Sequence, residues 1–310
     1  MLSRVADSIF WVARYMERTN GMLRLLRTSY ISSQDEIKDF SWRPILNHYG
    51  DEEIRFNNEH DESINIIHHL LLDKENDSSV LNNITRAREN ARAVQDHITK
   101  EVWQSLNDFY HLIRSENTSR LIHHEDIQGA LDALISQGWL YYGVVDTTMA
   151  RGNGFSFLSL GKFMERALLS TDSLSIKLEE IKLYTDHSLE IPALRYLLYS
   201  LSGYELFLKT NKGNFKSDLV FQQIILNANF PHSIIYCLTR ISRYIHRLRP
   251  ESTPEAFEQL DYLSGKLINN VKYSSIDIQK GPELEKLLED TRNGLFEITH
   301  ALNKFYFGHF

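Results

Sequence analysis

The chain has 310 residues, a formal net charge of −7, 42% hydrophobic and 24% charged residues. That is the make-up of a globular protein with room for a sizeable core, as one large domain or two ordinary ones. The negative balance excludes nucleic acid as an obligate partner, because phosphate binding needs a basic face, although a local basic patch can still hold a small anion. The lone cysteine, Cys237, excludes a disulfide framework within the chain and points to a reducing cytoplasm. Charges spread through Met1–Asp7 leave no apolar leader, and the most apolar stretch, Trp139–Val145, is far too short to span a bilayer. Neither a signal peptide nor a membrane span is expected.

Nearly everything reads as helix, and only 6 prolines and 14 glycines punctuate the chain. Val5, Ile9, Val12, Met16 and Leu23 recur at helical spacing, with Ser3 placed to cap that segment. A short helix is predicted over Trp42–His48. Asp73–Ser79 reads as a loop and helix entry, followed by one long helix over about Ser78–Ser115, carrying Val80, Ile84, Ala87, Ala91, Val94, Ile98 and Val102. Further helices are predicted over His124–Arg151 and, after the Gly152-Asn153-Gly154 break, on to Tyr184. Pro192, Pro231, Pro254 and Pro282 each open a periodic run, giving helices over Pro192–Leu208, Pro231–Leu248, Pro254–Tyr273 and Pro282–Phe307. Tyr184–Glu190, Lys209–Lys216 and Ser274–Gly281 read as loops. No strand alternation or hairpin signal is present.

One phrase occurs twice. Arg14-Tyr15-Met16-Glu17-Arg18 and Lys162-Phe163-Met164-Glu165-Arg166 both read basic, aromatic, Met, Glu, Arg, at an interval of 148 (165 − 17). Arg43 before Leu46 matches Arg195 before Leu198 at 152 (195 − 43). Ser79-Val80-Leu81 with Thr85-Arg86 matches Ser233-Ile234-Ile235 with Thr239-Arg240 at 154 (240 − 86). Matches in one order predict a single all-α domain, a large helical bundle built from two sequence-similar halves, 1–150 and 151–310, related by a pseudo-two-fold axis.

The repeated phrase sets charge against the grain. Phe10, Trp11, Met22 and Leu25 cover what the first stripe leaves, and a helix apolar nearly all round is a buried one. Arg14, Glu17 and Arg18 interrupt it at i,i+3 and i,i+4 spacing, where all three can line one groove. Phe157, Leu158, Leu160, Leu168 and Leu169 surround Lys162, Glu165 and Arg166 in the same way. Buried charges need partners. Arg86, Arg88, Glu89, Arg92 and Asp96, with Arg151, Arg240 and Arg243, are the charged runs that can supply them. Two readings stand: an ion-pair network that fixes the register of the bundle, or an arginine-rich cluster with a few carboxylates that binds an anionic ligand between the halves. The candidate ligand-binding residues are Arg14, Glu17, Arg18, Arg88, Arg92, Arg151, Lys162, Glu165 and Arg166.

Other chemistry is thin. Glu297-Ile298-Thr299-His300 has the Glu-x-x-His spacing of helical di-iron proteins, with Asp108…His111 a looser echo, but such a site needs two true motifs and two further carboxylates. No metal site or cofactor is expected. His68-His69 and His123-His124 read as helix-surface residues, and Cys237, inside Ile234-Ile235-Tyr236-Cys237-Leu238, as a buried inert thiol. Gly152-Asn153-Gly154 lacks the Lys-Ser/Thr of a phosphate loop, and no nucleophile elbow is present.

Taken together, Met1–Ser8 with Trp11 and Arg14–Arg18, Arg88-Glu89-Asn90-Ala91-Arg92, Glu101-Val102-Trp103 with Leu106-Asn107, Met149-Ala150-Arg151-Gly152, Phe163–Arg166 and Asn229–Ser233 with Cys237-Leu238 resemble the bacterial alpha-E domain family, over nearly the whole chain. The resemblance implies an all-helical cytoplasmic protein. In bacteria such proteins are encoded beside a circularly permuted ATP-grasp protein and a transglutaminase-like protein. It therefore implies an accessory part beside an ATP-grasp ligase and a transglutaminase-like protein in ATP-dependent peptide-bond formation or peptide modification, and a non-catalytic or accessory helical module is the leading expectation. Lys162 stands where the family's pattern leads one to expect arginine, and Asn153 where a small residue or glutamine is usual. A lysine makes no bidentate fork, so the second half is expected to hold anions less well than the first. The alternatives are an enzyme with Glu17 or Glu165 as general base and arginines as anchors, and a di-metal helical bundle.

Overall fold

The computed structural model describes residues 2–35, 40–49, 62–183, 190–249, 252–276 and 281–308. Among them the chain is all-α, with no strand. In chain order the helices are α1 (Ser3–Gln34), α2 (Arg43–Tyr49), α3 (Glu62–Leu71), α4 (Val80–Ala93), α5 (Lys100–Ile113), α6 (Glu116–Arg120) and α7 (Ile127–Thr148). They continue as α8 (Asn153–Leu183), α9 (Glu190–Ser200), α10 (Tyr204–Asn211), α11 (Ser217–Leu226), α12 (Ile234–Leu248), α13 (Pro254–Lys272) and α14 (Gly281–Leu302).

Local chemistry explains most of the starts. Ser79, Thr99, Ser115, Asp126, Ser233 and Thr253 each sit one residue ahead of a helix. Each accepts a hydrogen bond on its side chain from the backbone N–H three residues on, satisfying one of the free donors of the first turn. Pro254 occupies the first helical position, where its missing N–H is not needed.

The segment expected as one helix over 78–115 is two. Val94 leaves helical geometry at φ −128°, a single tight turn covers Gln95–His97, and Thr99 caps a new helix. The stretch expected over Pro192–Leu208 also breaks, at Ser202, which adopts a left-handed φ of 55°. Ser3 lies inside α1, and Leu2 supplies the carbonyl that accepts from Val5 and Ala6. A wide π-type turn over Leu121–Glu125 precedes α7, and another over Asn303–Phe307 follows α14. α3, α6 and α11 were not anticipated, and α10 runs to Asn211, into the expected loop at 209–216. Of the other expected loops, 184–189 and 277–280 lie outside the described residues.

The chain divides into two compact units: residues 15–149, and residues 1–14 together with 150–310. In the discontinuous unit, α8 packs on α12, α12 on α13, α13 on α14, and α14 back on α8, closing a four-helix bundle. Its interior holds the Phe10–Phe307 and Phe157–Phe307 ring contacts at 5.2 and 6.0 Å, and the stacked pair Phe163 and Tyr244 at 6.1 Å. In the other unit α4 packs on α5 and α5 on α7, while α1 joins α7 through the side chains described below. The order of elements recurs. From α4, α5 and α7 to α12, α13 and α14 the starting residues are each 154 apart (234 − 80, 254 − 100, 281 − 127).

Candidate functional site

In the unit of residues 15–149, α1 and α7 run antiparallel and meet through a polar ladder. The Tyr142 hydroxyl donates to the Glu17 carboxylate. Asn20 fills the place of the side chain that Gly138 lacks, since a methyl group on Gly138 would lie 1.7 Å from Asn20 Oδ1. Arg27 pairs with Asp132 through two guanidinium nitrogens. The first and last of these contacts are thus ten positions apart on both α1 and α7 (27 − 17, 142 − 132). Glu17 is wholly buried, at 0% exposure. Beside it the Tyr141 hydroxyl is buried with no hydrogen-bond partner among the described residues, as are Thr19 Oγ1 and Asn20 Oδ1. Burial, and then the negative charge of Glu17, push the Tyr141 hydroxyl well above the ordinary phenol range.

In the other unit the repeated phrase is served differently. Arg14 Nε donates to Glu165 Oε2 at 2.7 Å, with side chains 6% and 4% exposed. The Arg14 guanidinium lies 4.8 Å from the Trp11 ring and 5.7 Å from the Phe10 ring. One turn back, Gly161 lets α8 close on α1, for a methyl group there would lie 2.2 Å from the Phe10 carbonyl oxygen. Both contacts advance by four residues on both helices, so the start of α1 and α8 run side by side in one direction. Arg166 is buried and reaches the Pro231 carbonyl at 3.4 Å, tying α8 to the entry of α12. Lys162 is half-buried, with Nζ 5.3 Å from the Phe163 ring, and Arg151 is exposed over Phe155 at 4.1 Å.

The remaining candidates lie on α4 and α5. Arg88 Nε donates to Asn107 Oδ1 at 2.9 Å and Nη1 to Glu89 Oε1 at 3.0 Å, while Arg92 Nη2 lies 2.6 Å from Glu89 Oε2. The Arg88 guanidinium stands 4.7 Å from the Tyr110 ring and 5.4 Å from the Trp103 ring. Arg86 pairs at the α4 entry with Asp77, at 2.5 Å. The structure therefore brings Arg14 to Glu165 and both Arg88 and Arg92 to Glu89, while Arg18 covers its own neighbour Tyr15 at 5.8 Å.

Sequence reasoning missed Tyr142 as the donor to Glu17, because the 139–145 run reads as merely apolar. It also missed the histidines. His68 and His69 are half-buried, and the His68 ring lies 4.8 Å from that of His123 in the π-type turn, so the expected surface placement is corrected to a contact. The π-type turn carries His123 to α3, which surface spacing along a regular helix does not reveal. The His124 side chain lies outside the described residues. His69 Nδ1 meets Asp73 Oδ2 at 2.8 Å. Burial, and then the charge of His123, hold the His68 imidazole below its usual range, against the pull of Asp73. Cys237 is buried, as read. Glu297 and His300 are both exposed on α14, and among the described residues no three His, Cys, Asp or Glu side chains gather as a metal would require. No helix is long and apolar enough to cross a membrane, among the described residues.

Comparison with known proteins follows the same lines. The family model Alpha-E, described as a predicted alpha-helical domain with a conserved ER motif, matches residues 1–307. The chain is 22% identical over 259 residues to an uncharacterised protein of Mycobacterium bovis and to two of Mycobacterium tuberculosis, covering 77% of this chain. It spans 29% of the length of those relatives. No solved structure matches.

Proposed function

We propose that this chain, which belongs to the Alpha-E family, is a cytoplasmic bacterial helical module that assists other proteins rather than carrying out a reaction itself. Its partners are an ATP-grasp ligase and a transglutaminase-like protein, which carry out the peptide-bond formation or peptide modification, while this chain binds an anionic ligand or partner segment in a groove lined by arginine and glutamate. The observation that carries this reading is the length of the mycobacterial relatives, in which the matched region is 29% of a longer polypeptide. A region that stands there as one part of a larger chain suits a role beside other parts.

The burial of the two motif glutamates supports the same reading. A general base must reach a substrate proton. Glu17 and Glu165 are 0% and 3% exposed, and each is held by a donor, which suits a strut. The repetition of helix order at one interval supports an origin by duplication, after which the two glutamates acquired different donors. The binding role then falls to the accessible arginines, Arg88 and Arg92 foremost.

Co-purification with an ATP-grasp ligase and a transglutaminase-like protein from the same source tests the proposal. Stable association, strengthened by ATP or peptide, is expected. Failure to associate under every combination of ATP and peptide overturns it.

A further inference from the structure

We propose that α4 and α5 carry a preformed oxyanion site, built on Arg88, Arg92 and Arg114, that takes the carboxylate or phosphate group of a binding partner. This deepens the accessory reading and rests on it only for where the anion comes from.

Three observations support the site. First, the guanidinium groups are held in place before any ligand arrives. Trp103, Asn107 and Tyr110 fall at i, i+4 and i+7 along one face of α5, and Arg114, the residue that ends it, continues the row at i+11. The Tyr110 ring has Arg88 at 4.7 Å and Arg114 at 4.9 Å from its centre, and the Tyr110 hydroxyl accepts from Arg114 Nη1. Asn107 fixes Arg88 Nε. Flat guanidinium groups laid on aromatic faces keep their N–H edges for planar anions, which is the geometry that carboxylate and phosphate recognition uses.

Second, the structure already holds a carboxylate there. Glu89 lies with one oxygen 3.0 Å from Arg88 and the other 2.6 Å from Arg92, while 44% of its side chain remains exposed. It stands in for the anion a ligand would bring. Two guanidinium groups share this one carboxylate, a third, that of Arg114, shares the Tyr110 ring with Arg88, and Arg88 Nη2 has no hydrogen-bond partner among the described residues. A second anion is therefore welcome even in a chain of net charge −7.

Third, the fold does not require the cluster of arginines and aromatic rings. At the equivalent interval of 154, α12 and α13 carry Ser242, Ser264 and Ile268 where α4 and α5 carry Arg88, Tyr110 and Arg114 (242 − 88, 264 − 110, 268 − 114), and those helices still pack on one another. Pinning two helices together is thus an insufficient reason for the cluster.

Calorimetric titration of the full chain at low salt, with a tetraglutamate peptide blocked at both ends and separately with inorganic phosphate, tests the site. At least one probe is expected to bind. Glu89→Gln removes the internal competitor and is expected to bind that probe about tenfold more tightly. Arg88→Lys keeps the charge but loses the fork, and is expected to bind about tenfold more weakly. Binding of the peptide alone identifies partner carboxylates, binding of phosphate alone identifies a phosphorylated group, and binding of both identifies a general oxyanion site. The proposal fails if neither probe binds the wild type or Glu89→Gln, or if the Glu89→Gln affinity equals that of wild type. Because Glu89 is exposed, that variant keeps the test decisive should Arg88→Lys lose its fold. Anion binding without ligase association would refute the accessory reading alone. Association without anion binding would refute the site alone.

Discussion

Arg14 and Glu165 lie 151 positions apart and meet at 2.7 Å, both nearly sealed from solvent. The ion pair draws one partner from each copy of the repeated phrase, so its loss is felt well beyond one helix. Removing one member weakens the pairing of the other's charge in a low-dielectric interior, at a cost of up to about 3–5 kcal/mol. Arg14→Met and Glu165→Leu singly are expected to destabilise by that amount. Together they are expected to recover part of it, because neither member of the pair is then left as a buried charge facing an apolar side chain. Urea unfolding of the singles and the double measures this, and an additive double variant would show that the pair is not the strut described.

The adjacent tyrosines of α7 are expected to behave oppositely. Tyr142→Phe removes a donor from the buried Glu17 carboxylate and is expected to cost about 1–3 kcal/mol. Tyr141→Phe removes a buried hydroxyl that has no partner among the described residues, and is expected to be neutral or stabilising. The alkaline behaviour follows from the same hydroxyl. Its folded-state pKa lies above its unfolded value of about 10, so above that pH the unfolded chain has released the proton that the folded chain retains. Stability therefore falls as pH rises beyond about 10, and Tyr141→Phe is expected to shallow that fall. An unchanged slope in chemical unfolding between pH 9 and pH 11 (roughly one unit either side of the unfolded value) would remove Glu17 and burial as its cause.

Much of this architecture was legible in the order of residues. Helical periodicity marked α1, α7, α8, α12, α13 and α14, because each buries a continuous apolar stripe that packing rewards. Breaks were legible only where glycine or proline marked them. The turn between α4 and α5 carries neither, and Thr99 reads as one more residue of a helical run until its side chain is seen capping. Ser202 turns with a left-handed backbone that glycine usually supplies. At the site, the buried charge of Arg14, Glu17, Glu165 and Arg166 followed from apolar surroundings. Their partners did not, since the Tyr142 that donates to Glu17 comes from a helix more than a hundred residues away whose register no local pattern encodes. The grouping of the first 14 residues with the second half was equally hidden, because the phrase order alone assigned them to the first.

Two glycines separate close helix contact from idle flexibility. A methyl group at Gly161 would lie 2.2 Å from a backbone oxygen of α1, which cannot move without shifting the helix. Gly161→Ala is expected to cost about 1–3 kcal/mol from overpacking, after any gain in helix propensity is deducted. Gly143 lies on the exposed face of α7, with nothing within 4 Å of the added methyl. Gly143→Ala is expected to stabilise by up to about 1 kcal/mol. Thermal melting of the two variants should move in opposite directions, and a matching loss in both would mean that α7 is covered where it is described as open.

The histidine contact sets the expected response to mild acid. His68 has a folded-state pKa below its unfolded value, chiefly through burial and next through His123, with Asp73 opposing and His69 adding. A proton taken up near pH 6.5 thus binds the unfolded chain first, so stability is complete above that pH and declines below it. His123→Asn keeps a polar side chain in the π-type turn and removes the second imidazolium from a ring 4.8 Å away. Burial remains as the larger cause, so part of the acid loss should persist in the variant. Melting temperatures at about pH 7.5 and pH 5.5, on either side of the free-imidazole value, are the measurement. The wild-type decline is expected to exceed that of His123→Asn. Equal declines would remove the charge of His123 as a cause, while a complete loss of the decline would make that neighbouring charge, and not burial, the dominant influence on His68.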